Sequence, residues 1–390
     1  MAHLDPYAYA FHEDPYPFYA ELRERAPVYH NEELGFWALS RHADVFDAFK
    51  NPRRFSNAKG VSMDPASWGP QARLFSSFLA MDPPEHTRMR GLVARGFTPR
   101  RVAALEPRIR EIAVAHLDAL VGSGGFDVID EFAGKLPMDV ISEMLGVPEA
   151  DRAMLRTWAD LLVHREEGTQ DVPAEGVEAF GRIRGYFKDL LAERRKRPGD
   201  DLLSALLVAE TGGDRLDDNE LLSFCNLMIV AGNETTTKLI ANALYWLWRS
   251  PEQRARVRRD AACIPGWVEE TLRYDNSTQI LARLATEEFE LRGVTVPEGV
   301  PVLLLVGSAN RDEEVFPRAE VFDLERDTSE MLSFGRGTHF CMGASLARLE
   351  GRVALEEWWS RFGDYEIEPE GAVRVHSSNV RGFARLPVKV

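Results

Sequence analysis

Cysteine is scarce in this chain: its 390 residues include only Cys225, Cys263 and Cys341. An odd, widely spaced set excludes a disulfide framework and fits a reducing compartment. Neither Cys-x-x-Cys nor His-Glu-x-x-His occurs, so no zinc ligand set is present. Positive charge is also short, with 47 Lys and Arg against 62 Asp and Glu and a net charge of −15. Nucleic acid requires a basic face, which excludes it as the expected partner. No run of 18 apolar residues is available to cross a bilayer; the most apolar stretch, Leu221 to Val230, gives way to Gly232, Asn233 and Glu234. The opening residues lack a basic region followed by an apolar one, so the expectation is a soluble, cytoplasmic protein without membrane contact. Repeats and Gly/Ser linkers are missing too. A chain of this length can bury about 75% of its unfolded surface, so its core needs no staple.

What is present is mostly helical periodicity. Leu105, Ile109, Ile112, Ala113, Leu117 and Leu120 fall on one face until Gly122, Gly124 and Gly125 intervene. A second helix is predicted from about residue 177 to 197. A third should run over 218–249, with Asp217 or Asp218 as N-cap and Ser250-Pro251 as the stop. At ~1.5 Å per residue the third would be roughly 50 Å long, and its apolar middle implies burial on every side. Strand patterns are fewer: residues 35–39, and 289–296 followed by 300–306, which read as a bent hairpin. The expectation is a mainly α protein with a minor β part, and a single domain over 1–390 organised by the long helix.

That helix contains Ala231-Gly-Asn-Glu-Thr-Thr-Thr237. Glycine and threonine are poor helix formers, and a buried glutamate is costly without partners. A helix end would explain the segment, but the apolar period resumes at Leu239, Ile240 and Leu244. The remaining reading is a notch in a continuous helix, where small residues admit a ligand and Glu234 with Thr235 handles protons beside it.

Cys341 lies in Phe334-Gly-Arg-Gly-Thr-His-Phe-Cys-Met-Gly343, ahead of a helical pattern over 344–362. Glycines allow a tight turn, and free N–H groups with a helix start would stabilise a thiolate, either as nucleophile or as metal ligand. The spacing of Phe334, Gly335, Gly337, His339, Cys341 and Gly343 resembles the haem-binding loop of the cytochrome P450 family. Glu270-Thr-Leu-Arg273, Arg326 within Phe322-Asp-Leu-Glu-Arg326, and Ala231 to Thr236 are similar to three further elements of that family. The likeness extends from Asp14-Pro-Tyr-Pro-Phe18 to Arg381-Gly-Phe-Ala-Arg-Leu-Pro387. It departs at Ser277, where many bacterial relatives have proline, and at Glu234, which stands for the commoner Asp.

The resemblance implies the family's fold, with a long central helix over a buried haem b. It also implies Cys341 as axial thiolate and iron ligand, which favours O–O cleavage. Glu234 and Thr235 become the acid and alcohol of oxygen activation, Ala231 lines the groove, and Phe334 and Gly335 flank the cofactor. Glu270, Arg273 and Arg326 become a bracing triad. His86, Arg90, Arg283 and His339 become partners of the haem propionates. The implied activity is O2-dependent hydroxylation or epoxidation of a lipophilic molecule such as a terpenoid, steroid, fatty acid or polyketide, by a monomer of secondary metabolism. Candidate pocket residues are Leu74, Phe75, Phe78, Leu227, Val230, Ala231, Ile280, Leu281 and Val380, with residues 164–172 as a lid. With no flavin or iron–sulfur domain in the sequence, electrons are expected from a separate ferredoxin and ferredoxin reductase. These would dock on a basic patch of Arg88, Arg95, Arg100, Arg101, Arg336, Arg348 and Arg352. The alternatives are a peroxide-driven peroxygenase on the same fold and a hydrolase with Cys341 as nucleophile. The hydrolase is disfavoured because His339 is too close in sequence to serve as its base. Cys225 and Cys263 are expected to be buried and inert.

Overall fold

The computed structural model describes residues 3–167, 169–209 and 213–390. Eight helices position the site: α1 (Glu85–Val93), α2 (Glu106–Asp118), α3 (Leu136–Met144), α4 (Glu149–Val163), α5 (Ala174–Lys196), α6 (Asp218–Arg249), α7 (Ile264–Tyr274) and α8 (Ala344–Phe362). Helix α6 has the expected bounds. Asp217 accepts from the Glu220 N–H while Glu220 reaches back to the Asp217 N–H, a capping box that satisfies two otherwise unpaired donors. Pro251 opens the next helix and stops this one. Helices α3, α4, α5, α7 and α8 pack around α6, which is buried without a break from Leu221 to Ile229.

Seven strands form the main β part: β1 (Val28–Asn31), β2 (Phe36–Leu39), β3 (Phe55–Ser56), β4 (Ile280–Ala285), β5 (Phe289–Leu291), β6 (Val294–Val296) and β7 (Pro301–Leu305). One sheet has the order β1-β2-β7-β4-β3. Within it β2 and β7 are parallel, with Trp37 opposite Val302, and β7 and β4 are antiparallel, with Ile280 opposite Leu305. The expected bent hairpin is thus corrected. Strands β5 and β6 close on each other through Arg292-Gly293, both at positive φ, a primed turn that completes a hairpin in two residues. Strand β7 is left free to pair between β2 and β4. No helix among the described residues is long and apolar enough to cross a membrane.

Candidate active site

The loop before α8 presents Cys341. Its N–H donates to the Phe334 carbonyl (2.9 Å), the Gly335 N–H to Leu332 (2.8 Å), and residues 337–339 form a 3-10 turn. Gly335 and Gly337 have φ of +66° and +67°. Cys341 keeps accessible surface although protein encloses the loop, because that surface opens into an internal cavity. Enclosure pushes its thiol up, while the Gly343 N–H, Arg90, Arg348 and the Ala344 N–H pull it back toward the thiolate. Of the other cysteines, Cys225 is buried in α6. Cys263, expected to be buried, is partly exposed at a turn before α7, where its thiol donates to the Asp260 carbonyl.

The cavity measures ≈ 250 Å³, far beyond the ~10–15 Å³ that one water needs. Across it from Cys341 stands the notch of α6. The helix is continuous there, and Ala231, Gly232 and Thr235 keep accessible surface because they line the space. Gly232 is packed from outside, since a Cβ would lie 3.4 Å from Ile141 of α3. The Thr235 hydroxyl donates to the Ala231 carbonyl (2.8 Å), and the Ser277 hydroxyl donates to the Thr235 carbonyl (2.7 Å). Glu234 does not line the cavity. Buried at 3% exposure, it turns toward α4, with Lys238 Nζ 3.2 Å from its Oε2 and the Asp160 carboxyl nearby. Neighbours in a helix diverge by ~100°, so two consecutive residues cannot share one face.

Three nitrogen-bearing side chains, Arg90, Arg283 and His339, line the cavity together, and a fourth, His86, stands against His339. His86 on α1 is buried, and neither of its ring nitrogens nor either of His339's has a hydrogen-bond partner. The two rings lie 4.1 Å apart. The Met81 carbonyl is near the His339 ring but outside bonding geometry. Burial, with Arg90 beside it, lowers His86 to about 4; burial, Arg283, His86 and Arg90 lower His339 to about 2. Arg283 is buried and held at about 10 by that burial, with Nη1 donating to the Ala282 carbonyl (2.7 Å). Arg90 Nη2 donates to the Phe340 carbonyl (2.5 Å). Buried imidazoles without partners beside two arginines lack acceptors. Two carboxylates would satisfy them, which is what haem propionates bring.

Beneath the loop, Glu270 and Arg273 form a two-pronged pair (2.7 and 2.8 Å) with almost no exposure. Arg326 adds a third member, its Nε 3.2 Å from Glu270, while its Nη groups donate to the Pro317, Arg318 and Val321 carbonyls. Arg273 also holds the Asn310 carbonyl, and Asn310 in turn binds the Leu332 N–H and the Ser333 hydroxyl. The triad is thereby linked to the segment that leads into Cys341.

Of the expected pocket residues, Phe78, Leu227, Ala231 and Leu281 line the cavity, as do Phe334, Gly335, Arg90, Arg283 and His339. Five others do not. Ile280 is the clearest correction: strand alternation sends Leu281 and Arg283 to the cavity, and Ile280 with Ala282 to the cluster around Leu4 and Tyr19. Leu74 is exposed, Phe75 stacks on Phe180 at 4.2 Å, Val230 lies off the groove face of α6, and Val380 pairs with Thr278 at the rim. The segment 164–172 is held down rather than loose: Arg165 pairs with buried Asp64 (2.8 Å), and Asp171 accepts from the Ala66 N–H; Gly168 lies outside the described residues. Glu350 of α8, which sequence reasoning missed, also lines the cavity. It is buried with Oε2 unpartnered, and burial holds it well above the carboxylate range. No pattern in the sequence sets it apart from a helix surface charge.

A family model, Cytochrome P450, matches residues 175–389. A Mycobacterium tuberculosis protein that bears the name cytochrome P450 123 is 54% identical over 99% of this chain and 96% of its own. The chain belongs to the cytochrome P450 family. Vitamin D(3) 25-hydroxylase of Pseudonocardia autotrophica is 40% identical over 98% of this chain and 96% of its own. Among solved structures, CYP109E1 from Bacillus megaterium in complex with testosterone superposes with a TM-score of 0.90 at 34% identity, covering 96% of this chain and 97% of that one. Cytochrome P450 proteins bind haem through a cysteine thiolate and act as monooxygenases, so the fold class, the enzyme class and the cofactor expected from the sequence hold.

Proposed function

We propose that this P450 hydroxylates or epoxidises a compact lipophilic substrate in the cavity between Cys341 and α6, as one haem domain spanning the chain. The observation that carries the reading is the convergence of Cys341, Thr235 and the partnerless His339, with His86 against its ring, on one apolar space. Haem held there would supply O2 activation and insertion of one oxygen atom into the substrate. Cys341 Sγ would be the iron ligand; burial raises its thiol, and the Gly343 and Ala344 N–H groups oppose that rise. His86, Arg90, Arg283 and His339 would hold the haem propionates. Thr235 holds a proton donor at the cavity edge, and Glu234 is the reservoir behind it. Phe78, Leu79, Leu227, Leu281 and Ile141 exclude water and grip an apolar body, with Asn57, Ser277 and Thr278 as the few polar contacts. The names of two relatives, one a vitamin D3 hydroxylase and one bound to testosterone, support a steroid-sized ligand.

Electrons come from a separate ferredoxin and its reductase in the cytoplasm. The docking charge is smaller than the arginine count suggests: Arg88 is tied to Asp214 and Glu220, Arg348 to Glu269, and Arg352 to Glu106 and Glu356. The test is the reduced carbonyl spectrum of the purified protein. A strongly red-shifted Soret band is expected, and its loss in C341A. Titration with steroids should then shift the ferric Soret band, whereas a colourless protein overturns the reading.

A further inference from the structure

Thr235 is held from two sides. Its hydroxyl donates to the Ala231 carbonyl one turn back (2.8 Å), and its own carbonyl accepts the Ser277 hydroxyl (2.7 Å), across 42 residues of chain. A carbonyl carries two lone pairs, so a side-chain donor can add to a helical bond without replacing it. Restraint from outside matters here because Gly232 and the threonines make this the stretch of α6 with the poorest helix formers.

Ser277 has no freedom to follow Thr235. It is buried, and its carbonyl accepts the Arg381 N–H (2.7 Å). The next two residues are tied to the same segment, by the Thr278–Val380 bridge and by the Gln279 N–H on the Asn379 carbonyl (2.8 Å). On the other side Asp275 is fixed twice: its carbonyl accepts Asn242 Nδ2 of α6 (2.8 Å), and its carboxylate accepts Arg381 Nε (2.7 Å). The Ser277 hydroxyl therefore reaches α6 from a rigid support.

We propose that Ser277 is the positioning residue for Thr235: it fixes where the Thr235 hydroxyl stands in the cavity and couples that hydroxyl to the wall that grips the substrate. The wall is continuous with Ser277. Thr278 and Leu281 line the same space, and Leu281 pairs with Leu304 in the main sheet. A substrate pressed against Thr278 and Leu281 thus bears, through one side-chain bond, on the alcohol at the cavity edge. The proposal rests on the monooxygenase reading for its use, and it gives Ser277 no proton transfer of its own.

The test is the C–O stretch of the ferrous carbonyl complex of the holoenzyme, which needs neither substrate nor redox partner and senses the polar groups around the bound gas. S277A should broaden the band or split it in two, as Thr235 takes up more than one position. S277T, which keeps the hydroxyl, should restore the single wild-type band. In a T235A background S277A should change nothing further, since the group it positions is gone. Amide hydrogen exchange over residues 231–239 should quicken roughly 5-fold in S277A, the worth of one hydrogen bond, but not in S277T. A role confined to stability would lower the urea midpoint of S277A and leave the carbonyl band as it was. An S277A band identical to wild type, or the same S277A shift with and without the Thr235 hydroxyl, overturns the proposal. A protein without the red-shifted carbonyl band would instead overturn the monooxygenase reading, and the exchange rates would still decide whether Ser277 holds α6.

Discussion

Gly337 and Gly335 adopt nearly the same positive φ, yet they should tolerate a side chain differently. A Cβ on Gly335 would meet nothing nearer than a Phe49 ring carbon at 3.6 Å and the His339 carbonyl oxygen at 3.8 Å, whereas on Gly337 it would lie 2.8 Å from the Phe49 carbonyl oxygen. Gly335→Ala should therefore cost about 1–2 kcal/mol, the left-handed conformation alone. Gly337→Ala adds a backbone clash that must shift either the Cys341 loop or the residue 49–50 main chain. We expect a larger loss in urea unfolding for Gly337→Ala and slower retention of haem; equal midpoints for the two variants would refute the distinction. Ser277 makes a second prediction at this scale. Its hydroxyl ties the Thr235 carbonyl of α6 to the segment entering β4, a link that a proline at 277 could not make. Ser277→Ala should lose about 1 kcal/mol, and Ser277→Pro should lose no less.

Among the elements, the Glu270–Arg273–Arg326 triad shows how a few tenths of a kcal/mol on a helix surface becomes a large term inside. Removing one member of a buried pair costs about 3–5 kcal/mol, because the other charge is stranded. Glu270→Gln should thus yield little haem-loaded protein, and Arg273→Lys, which cannot bind in a two-pronged way, only partly better. Haem-to-protein absorbance ratios after purification check both, and a Glu270→Gln protein with full loading would show that the triad does not brace the loop. This triad was legible in the sequence because its members sit at a motif spacing, as were the ends of α6, where Asp217, Glu220 and Pro251 act through local bonds. What was not legible depends on partners far along the chain. The face of Ile280 is set by the pairing of β4 with β7. The place of β7 is set by Arg292-Gly293 closing the preceding hairpin first. Glu234 and Thr235 read as a pair at the notch, but helix geometry parts them, and only the packing of α4 shows that Glu234 faces Asp160. The acidic partners of Arg88, Arg348 and Arg352 were illegible for the same reason, since Asp214, Glu220, Glu269 and Glu106 come to them from distant segments.

For the molecule as a whole, Asp275 is where distant parts of the chain are joined. At the end of α7 and nearly unexposed, it accepts from the Tyr16 hydroxyl (2.7 Å), Trp246 Nε1 of α6 (2.7 Å) and Arg381 Nε (2.7 Å), with Arg374 Nη1 at 3.5 Å. Arg381 continues to the His12 and Glu13 carbonyls. The N-terminal segment, the central helix and the C-terminal strands therefore share one carboxylate. Burial alone would raise Asp275, but Arg381 and Arg374 outweigh it and hold the group well below the usual range. Its folded value is thus lower than the ~3.9 of an unfolded chain. A depressed carboxylate contributes stability that is fully present above the unfolded value and is lost as pH falls toward the folded one. The wild type should accordingly lose urea resistance steeply below about pH 5, as protonation of the unfolded chain begins to compete. Asp275→Asn should be less stable at pH 7 by about 3–5 kcal/mol, because two buried arginines lose their counter-charge. The same variant should show a shallower decline between about pH 5 and 3, since it has no proton to gain at this position. Midpoints of the two proteins measured across that interval should converge; parallel curves would mean that Asp275 is not the group whose titration unlocks the fold.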